Sequence, residues 1–483
     1  MTHATPDSPR SESDWSFIQQ HTYDREARRY AVLALGNLAI SPASHGPVMQ
    51  EHSVVALNQC LDSPDDETRF NSAFALNKLA SEESNIEYIG ASGSIPRLVD
   101  LLSTGGIDTI AQATAVLRHL AMRVENRLFM LHANILDPLG PVAESKDKET
   151  QREVAALCCQ LTLTEPLRLP LVSSTLLVPL TALCSSEDVE TARNACGALA
   201  NLAEAKRTHK RLATTARAMH HMVFIMRSKH LSVHREAARC VANLLSSSAF
   251  HRLFLDDGGL NSLFRLCRSL DTETLYNCSL IYRKLSPVLT NHEFIVGNGG
   301  LAPLLILTQT LDLSTNRQAV AAMRDISSNL NYKAVMAEEG CLTRAVELAR
   351  DDDLELRILA VGTLRHLSIN TRIKRPIITE GALGPLYAGI EDKAQNSDLM
   401  RQCAAVIGNI AENGENQVTL IKDAVLPRLV HMTDFPHPEV LQDVARTYAL
   451  LASNPENHTG VFGAAEIKSM IKLLASKEEN TRR

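Results

Sequence analysis

The stretch RNACGALANLA, residues 193–203, decides how this chain is read. It is built largely of small and apolar residues, so it can pack closely against a neighbour. Near its end Asn201 stands beside Leu202. Asparagine is a poor residue for a helix interior, because its amide competes for backbone hydrogen bonds. The segment has relatives along the chain: LALGNLA at Asn37, FALNKLA at Lys78, AVLRHLA at His119, ALCCQLT at Gln160 and CVANLLS at Asn243. The aligned position recurs at 37, 78, 119, 160, 201, 243, 284, 325, 366, 409 and 450. Eight of the ten intervals are 41 residues and the others are 42 and 43, a register chance would not hold.

A second signature shares the period, as in ASGSIPRLVDLL, GNGGLAPLLILT and TEGALGPLYAGI. Pro96, Pro138, Pro179, Pro303, Pro385 and Pro427 stand at about the same place in it. Proline is tolerated in the first turn of a helix, where its missing N–H has no intrahelical partner to lose. Gly259, Gly300, Gly340 and Gly381 precede that point, where a chain leaving one helix can adopt positive φ. Each unit is therefore predicted to hold a short helix, a glycine turn, a helix opened by proline, a loop such as DSPDDE or RDDDLE, and a longer helix ending near the recurring position. Acidic residues at 65–67 and 351–353 precede third helices, where negative charge favours the helix N-terminus.

A period of 41 with two or three helices matches HEAT or armadillo repeats, not the roughly 34 of tetratricopeptide or 33 of ankyrin repeats. GGLAPLLIL and RNACGALANLA resemble the armadillo consensus, over about residues 22–478. Within that family the repeats are most similar to the vacuolar armadillo scaffold and to catenin- and plakoglobin-type arrays. The resemblance implies an all-α fold, a right-handed α-solenoid (an armadillo superhelix) of about eleven three-helix repeats. It would run as one continuous domain over residues 15–478, with 15–21 as a short capping helix. A disordered tail is expected at 1–14 and a second tail at 479–483.

Counting the recurring position as zero, positions +1 and −2 are almost always apolar and −5 and −6 are small, as at Leu202, Leu199, Cys196 and Ala195. This spacing makes one buried stripe on a helix, which a unit covers only by stacking on its neighbours. Position zero is then expected to face an open groove. In armadillo relatives such inward asparagines hydrogen-bond the backbone of an extended peptide, and an amide carries both donors and an acceptor for that task. By resemblance the candidates are Asn37, Asn201, Asn243 and Asn409, with Gln160 as a looser one. Lys78 and His119, beside Arg118, add positive charge, and Arg283, Lys284, Arg324, Arg365 and His366 are opposed there only by Asp325. Such a groove favours an acidic, extended or phosphorylated protein segment. Arginines also recur at −8, at 29, 152, 193, 235, 317 and 401, where ion pairs within the array are the competing role.

The composition narrows the function classes. The net charge of −6 gives no bulk attraction to nucleic acid or membrane, and no run of about 18 apolar residues exists to span one. The ten cysteines include no CxxC pair and read as reduced, buried thiols of a cytosolic or nuclear protein. The opening MTHATPDSPRSESD lacks an apolar segment, and Thr2 stands where myristoylation needs glycine. No phosphate-binding loop, nucleophile elbow or zinc-protease motif is present. His230 and His234, near Cys240, have helical metal spacing, but Lys229 and Arg235 crowd them and no metal is assigned. The reading is a monomeric, non-catalytic scaffold without cofactor. The alternatives are an organelle-membrane scaffold of the vacuolar type and an importin-α-like adaptor. The second is disfavoured because such receptors carry tryptophan at −4 of most repeats, whereas the one tryptophan here is Trp15.

Overall fold

The computed structural model describes residues 25–474, apart from 51–52, 216, 393–395 and 458–461. The tails expected at 1–14 and 479–483, the capping helix at 15–21 and the middle of the polar loop at 391–398 lie outside the described residues. The described residues form helices and turns, with no strand. The chain groups into two compact units, Met1–Leu244 and Leu245–Arg483. Both are stacks of three-helix layers, the α-solenoid fold.

Every recurring position falls in a helix of 14 or 15 residues. In the first unit these are Arg25–Leu38, Asp66–Ala80, Ile107–Leu120, Lys148–Thr162, Val189–Ala203 and Leu231–Leu244, each packed on the next. In the second they are Thr272–Leu285, Leu313–Ser327, Leu354–Ser368, Ser397–Ile410 and Pro438–Ala452, packed in the same order. The buried stripe is as read: Leu76, Leu79, Leu117, Leu120, Leu199 and Leu202 are fully buried, and so are the small residues Ser72, Ala73, Ala195 and Cys196. Leu38 departs from it and is 52% exposed. It lies on the first described layer, with no described layer before it.

The ends of these helices explain much of the remaining polar pattern. Asp65, Asp147, Asp188, Asp271, Asp312 and Asp353 cap third helices, each side chain accepting from the backbone N–H three residues on. An N-cap of this kind is worth about 1 kcal/mol. Two of the arginines at −8 pair closely with the cap of the next layer, Arg152 with Asp188 at 2.8 Å and Arg317 with Asp353 at 2.5 Å, whereas Arg193 pairs with Glu190 of its own helix and Arg401 with Asp398 and Glu439. Arg152 and the Thr191 hydroxyl hold the Asp188 carboxyl well below the usual carboxylate range. At the other end, side chains of the following short helix donate to the last carbonyls. Asn126 reaches Leu120, Asn291 reaches Leu285 and Asn416 reaches Ile410, at 2.9–3.0 Å. Lys333, 1% exposed, donates to the carbonyls of Ser327 and His366, satisfying two layers at once.

The six prolines each occupy the third residue of a second helix, such as Ser94–Thr104 and Leu301–Leu307. The glycine reading needs correction at two of its four positions. Gly340 and Gly381 have φ of 96° and 81°, but in the paired glycines the positive φ belongs to Gly258 and Gly299. Gly259 and Gly300 are needed for contact instead. A Cβ on Gly259 would stand 2.3 Å from the Phe254 ring, and one on Gly300 2.6 Å from the Ile295 carbonyl oxygen.

Candidate functional site: the third-helix ladder

Position zero carries a polar side chain on ten of the eleven third helices, Leu450 being the exception, and most of these side chains are already engaged.

 Asn37 and Lys284 are exposed, whereas the other candidate positions are half-buried or buried. One pattern recurs at Asn201, Asn243, Asp325, His366 and Asn409. The group at zero reaches back to the preceding third helix, to its −1 carbonyl or side chain and to a hydroxyl at its +2 position.

In the first unit Asn201 is 3% exposed and does not point into an open groove as expected. Its Nδ2 donates to Thr162 Oγ1 at 3.1 Å and to the Cys159 carbonyl at 3.4 Å. Its Oδ1 accepts from Arg239 Nη1 at 2.9 Å. Asn243 Nδ2 donates to the Ala200 carbonyl at 3.0 Å. Lys78 lies 5.1 Å from the centre of the Phe74 ring, a cation–π contact. Gln160 is half-buried. Arg118 pairs with Glu153 of the next layer, so its charge is spent within the array.

His119 receives the other Arg118 contact, its Nε2 lying 2.9 Å from Nη2. Burial, then the charges of Arg118 and Lys78, push its pKa down to about 4. The unfolded chain, titrating near the ordinary histidine value of about 6.5, therefore binds the proton first as pH falls. Stability should be intact above about 6.5 and decline toward pH 4. Burial also lowers His221 and His366, so they share the effect. Urea midpoints at pH 7.5 and pH 5 should differ less in His119→Gln than in the parent chain; an equal difference would show that His119 does not contribute.

In the second unit Asp325 accepts from Arg283 at 2.8 Å, from Ser286 at 3.1 Å and from Arg324 at 3.3 Å. His366 Nδ1 lies 3.0 Å from Ser327 Oγ and 3.1 Å from the Arg324 carbonyl oxygen. Arg365 donates to Gln402 at 3.3 Å. Asn409 donates to Ser368 Oγ at 2.9 Å and accepts from Arg446 at 3.0 Å. Arg283, Arg324, Asp325, His366 and Gln402 line one pocket of about 470 Å³. Of the residues clustered there in the sequence, Arg283, Arg324, Asp325 and His366 line this pocket and Lys284 and Arg365 do not; the partners that engage the ladder were not part of that reading. The +2 hydroxyls of Thr162, Ser286, Ser327 and Ser368 and the −4 arginines Arg239 and Arg446 were visible as recurrences at the same period.

The comparisons with known proteins agree with this architecture. Residues 82–122 match the family model of the armadillo/beta-catenin-like repeat. Vacuolar protein 8 of Saccharomyces cerevisiae is 27% identical over 128 residues, 26% of this chain and 22% of that protein. Vacuolar protein 8 of Schizosaccharomyces pombe is 24% identical over 233 residues, 48% of this chain and 35% of that protein. The matched stretches therefore span about a third or less of those relatives. The crystal structure of an engineered protein superposes with a TM-score of 0.72 at 23% identity, over 83% of this chain and 99% of that one, a likeness of fold alone. With the repeat register running through its eleven third helices, the family match over residues 82–122 and the likeness to Vacuolar protein 8 say what that register is: the repeats are of the armadillo type.

Proposed function

We propose that the protein is a non-catalytic scaffold whose third-helix faces bind extended segments of other proteins, and that the second unit selects acidic ones. Armadillo-repeat folds generally serve protein–protein interaction, which sets the class of partner. The observation that carries the finer reading is the charge around the pocket of the second unit. Arg283 and Arg324 share one carboxylate, Asp325, while Arg365 bonds the uncharged Gln402 and Lys284 is exposed. Four cations thus stand against two acids, Asp325 between Arg283 and Arg324 and Asp443 within electrostatic reach of Arg365. Opposite charge on a peptide gains from these groups because guanidinium donors fit carboxylate oxygens in pairs. The ladder amides act chiefly as ties between layers, and the cations beside them supply recognition.

The test is charge reversal. Fluorescence anisotropy with extended acidic peptides should show binding that weakens as salt rises, and Arg324→Glu with Arg365→Glu should weaken it at least about tenfold. Circular dichroism checks that the variant is folded. Binding of every groove partner at parental strength would overturn the reading, as would equal binding of acidic and basic peptides.

A further inference from the structure

The first-helix edge of the first unit carries a second surface that the groove reading does not use. The relevant short helices are Glu83–Ala91, Val124–His132, Glu165–Ser173 and His209–Thr214, one in each of four successive layers. Glu87, Leu128, Leu169 and Lys210 occupy the same repeat position on the four, nine residues past position zero, so the edge begins on an exposed acid before it turns apolar and then basic. Tyr88, Phe129 and Arg211 occupy the position one further on. These equivalent sites change character along the edge. Tyr88 is 42% exposed, Leu128 37%, Phe129 57% and Leu169 42%, and then Lys210 and Arg211 are exposed cations.

Neighbouring layers are tied along this edge. Arg127 donates to Thr164 at 2.9 Å, Arg168 to Glu204 at 2.7 Å and Arg207 to the Glu165 carbonyl at 3.2 Å. Exposure at these positions varies along the chain: Arg252 with Leu253 are exposed in the next repeat, whereas Ala334 with Val335 and Val418 with Thr419 are half-buried. Lys206, Lys210 and Arg211 form no ion pair among the described residues, whereas Arg207 pairs with Glu165. The sequence KRTHKR, residues 206–211, thus presents its charge outward.

We infer that this edge docks on an anionic lipid bilayer, with Leu128, Phe129 and Leu169 entering the headgroup boundary and Lys206, Lys210 and Arg211 meeting the lipid phosphates. Large apolar side chains beside unpaired cations on one exposed edge are the arrangement of an interfacial membrane surface. Nucleic acid would reward the cations but not the leucines, because its affinity comes mostly from phosphate contacts. The docking is peripheral: among the described residues no single helix is long and apolar enough to cross a membrane. It does not depend on peptide binding by the second unit.

Co-sedimentation of the full chain with vesicles tests it. Vesicles of phosphatidylcholine mixed with phosphatidylserine should retain the protein, those of phosphatidylcholine alone should not, and retention should fall as salt rises. Charge reversal at Lys206, Lys210 and Arg211, and separately Phe129→Ser with Leu169→Ser, should each reduce retention at least about tenfold. Both sets lie on the surface, and circular dichroism confirms that each variant is folded. The inference is overturned if the mixed vesicles do not retain the protein, or if retention is indifferent to both sets. It is equally overturned if duplex DNA or an acidic protein binds through these residues while vesicles do not.

Discussion

Between pH 8 and pH 10 each unit of the protein should lose about 4 kcal/mol of folding stability through its thiols alone. Cys158, Cys184, Cys240, Cys267, Cys341 and Cys403 are buried and free, three in each unit. Burial pushes the thiols of Cys158, Cys341 and Cys403 up to about 12, and it raises Cys184, Cys240 and Cys267 as well. An unfolded thiol ionises near its ordinary value of about 8.5–9, whereas the folded one stays protonated. The native state therefore holds more protons across this window. Stability is intact below about pH 8.5 and is lost as pH rises, by roughly 1–2 kcal/mol per thiol at pH 10. Urea unfolding at the two pH values, with a reductant present, reads the loss. Replacing Cys158 with alanine should remove about a third of the first unit's loss, and replacing Cys341 and Cys403 about two thirds of the second's, set against each variant's own value at pH 8. A pH dependence unchanged by those substitutions would contradict the account.

Asn201→Leu should cost about 2–3 kcal/mol, the largest effect of any single ladder position. Leucine keeps the bulk but deletes the bonds to Thr162 and the Cys159 carbonyl, and it removes one acceptor from Arg239. Asn243→Leu deletes the bond to the Ala200 carbonyl from a half-buried side chain and should cost about 1 kcal/mol. Because stacked repeats are stabilised by nearest-neighbour interfaces, the damage should be local. Hydrogen exchange should quicken in the last turns of Lys148–Thr162 and Val189–Ala203 before it changes elsewhere in the unit. Parental exchange and parental urea midpoints would show that the amide is not a tie between layers.

The period carried most of the fold. It located all eleven third helices, the prolines in their first turns and the acidic caps, because equivalent residues must repeat at equal spacing in a stack. The direction a side chain faces was harder to read. One residue along a helix turns the side chain by about 100°, so a register that identifies Asn201 with Asn37 says nothing about what stands opposite either. The neighbour decides that: Thr162 and Arg239 enclose Asn201, while Asn37 remains exposed. Paired glycines hid a similar ambiguity. Both residues of Gly258–Gly259 are required, one for its φ and the other for the approach of Phe254. The cations at 283, 284, 324 and 365 were legible as a cluster. Asp325 was legible too, but not the geometry by which Arg283 and Arg324 share it while Arg365 rests on Gln402.

The backward reach of position zero has a consequence for how such a chain can diverge. Thr162 serves Asn201, Ser286 serves Asp325, Ser327 serves His366 and Ser368 serves Asn409, each pair drawn from consecutive layers. A hydroxyl in one repeat and a polar tip in the next are thus a single inherited unit split across about forty residues of gene. Duplicating, deleting or shuffling a lone repeat separates the two halves, and lineages that keep the register should be found to exchange them together.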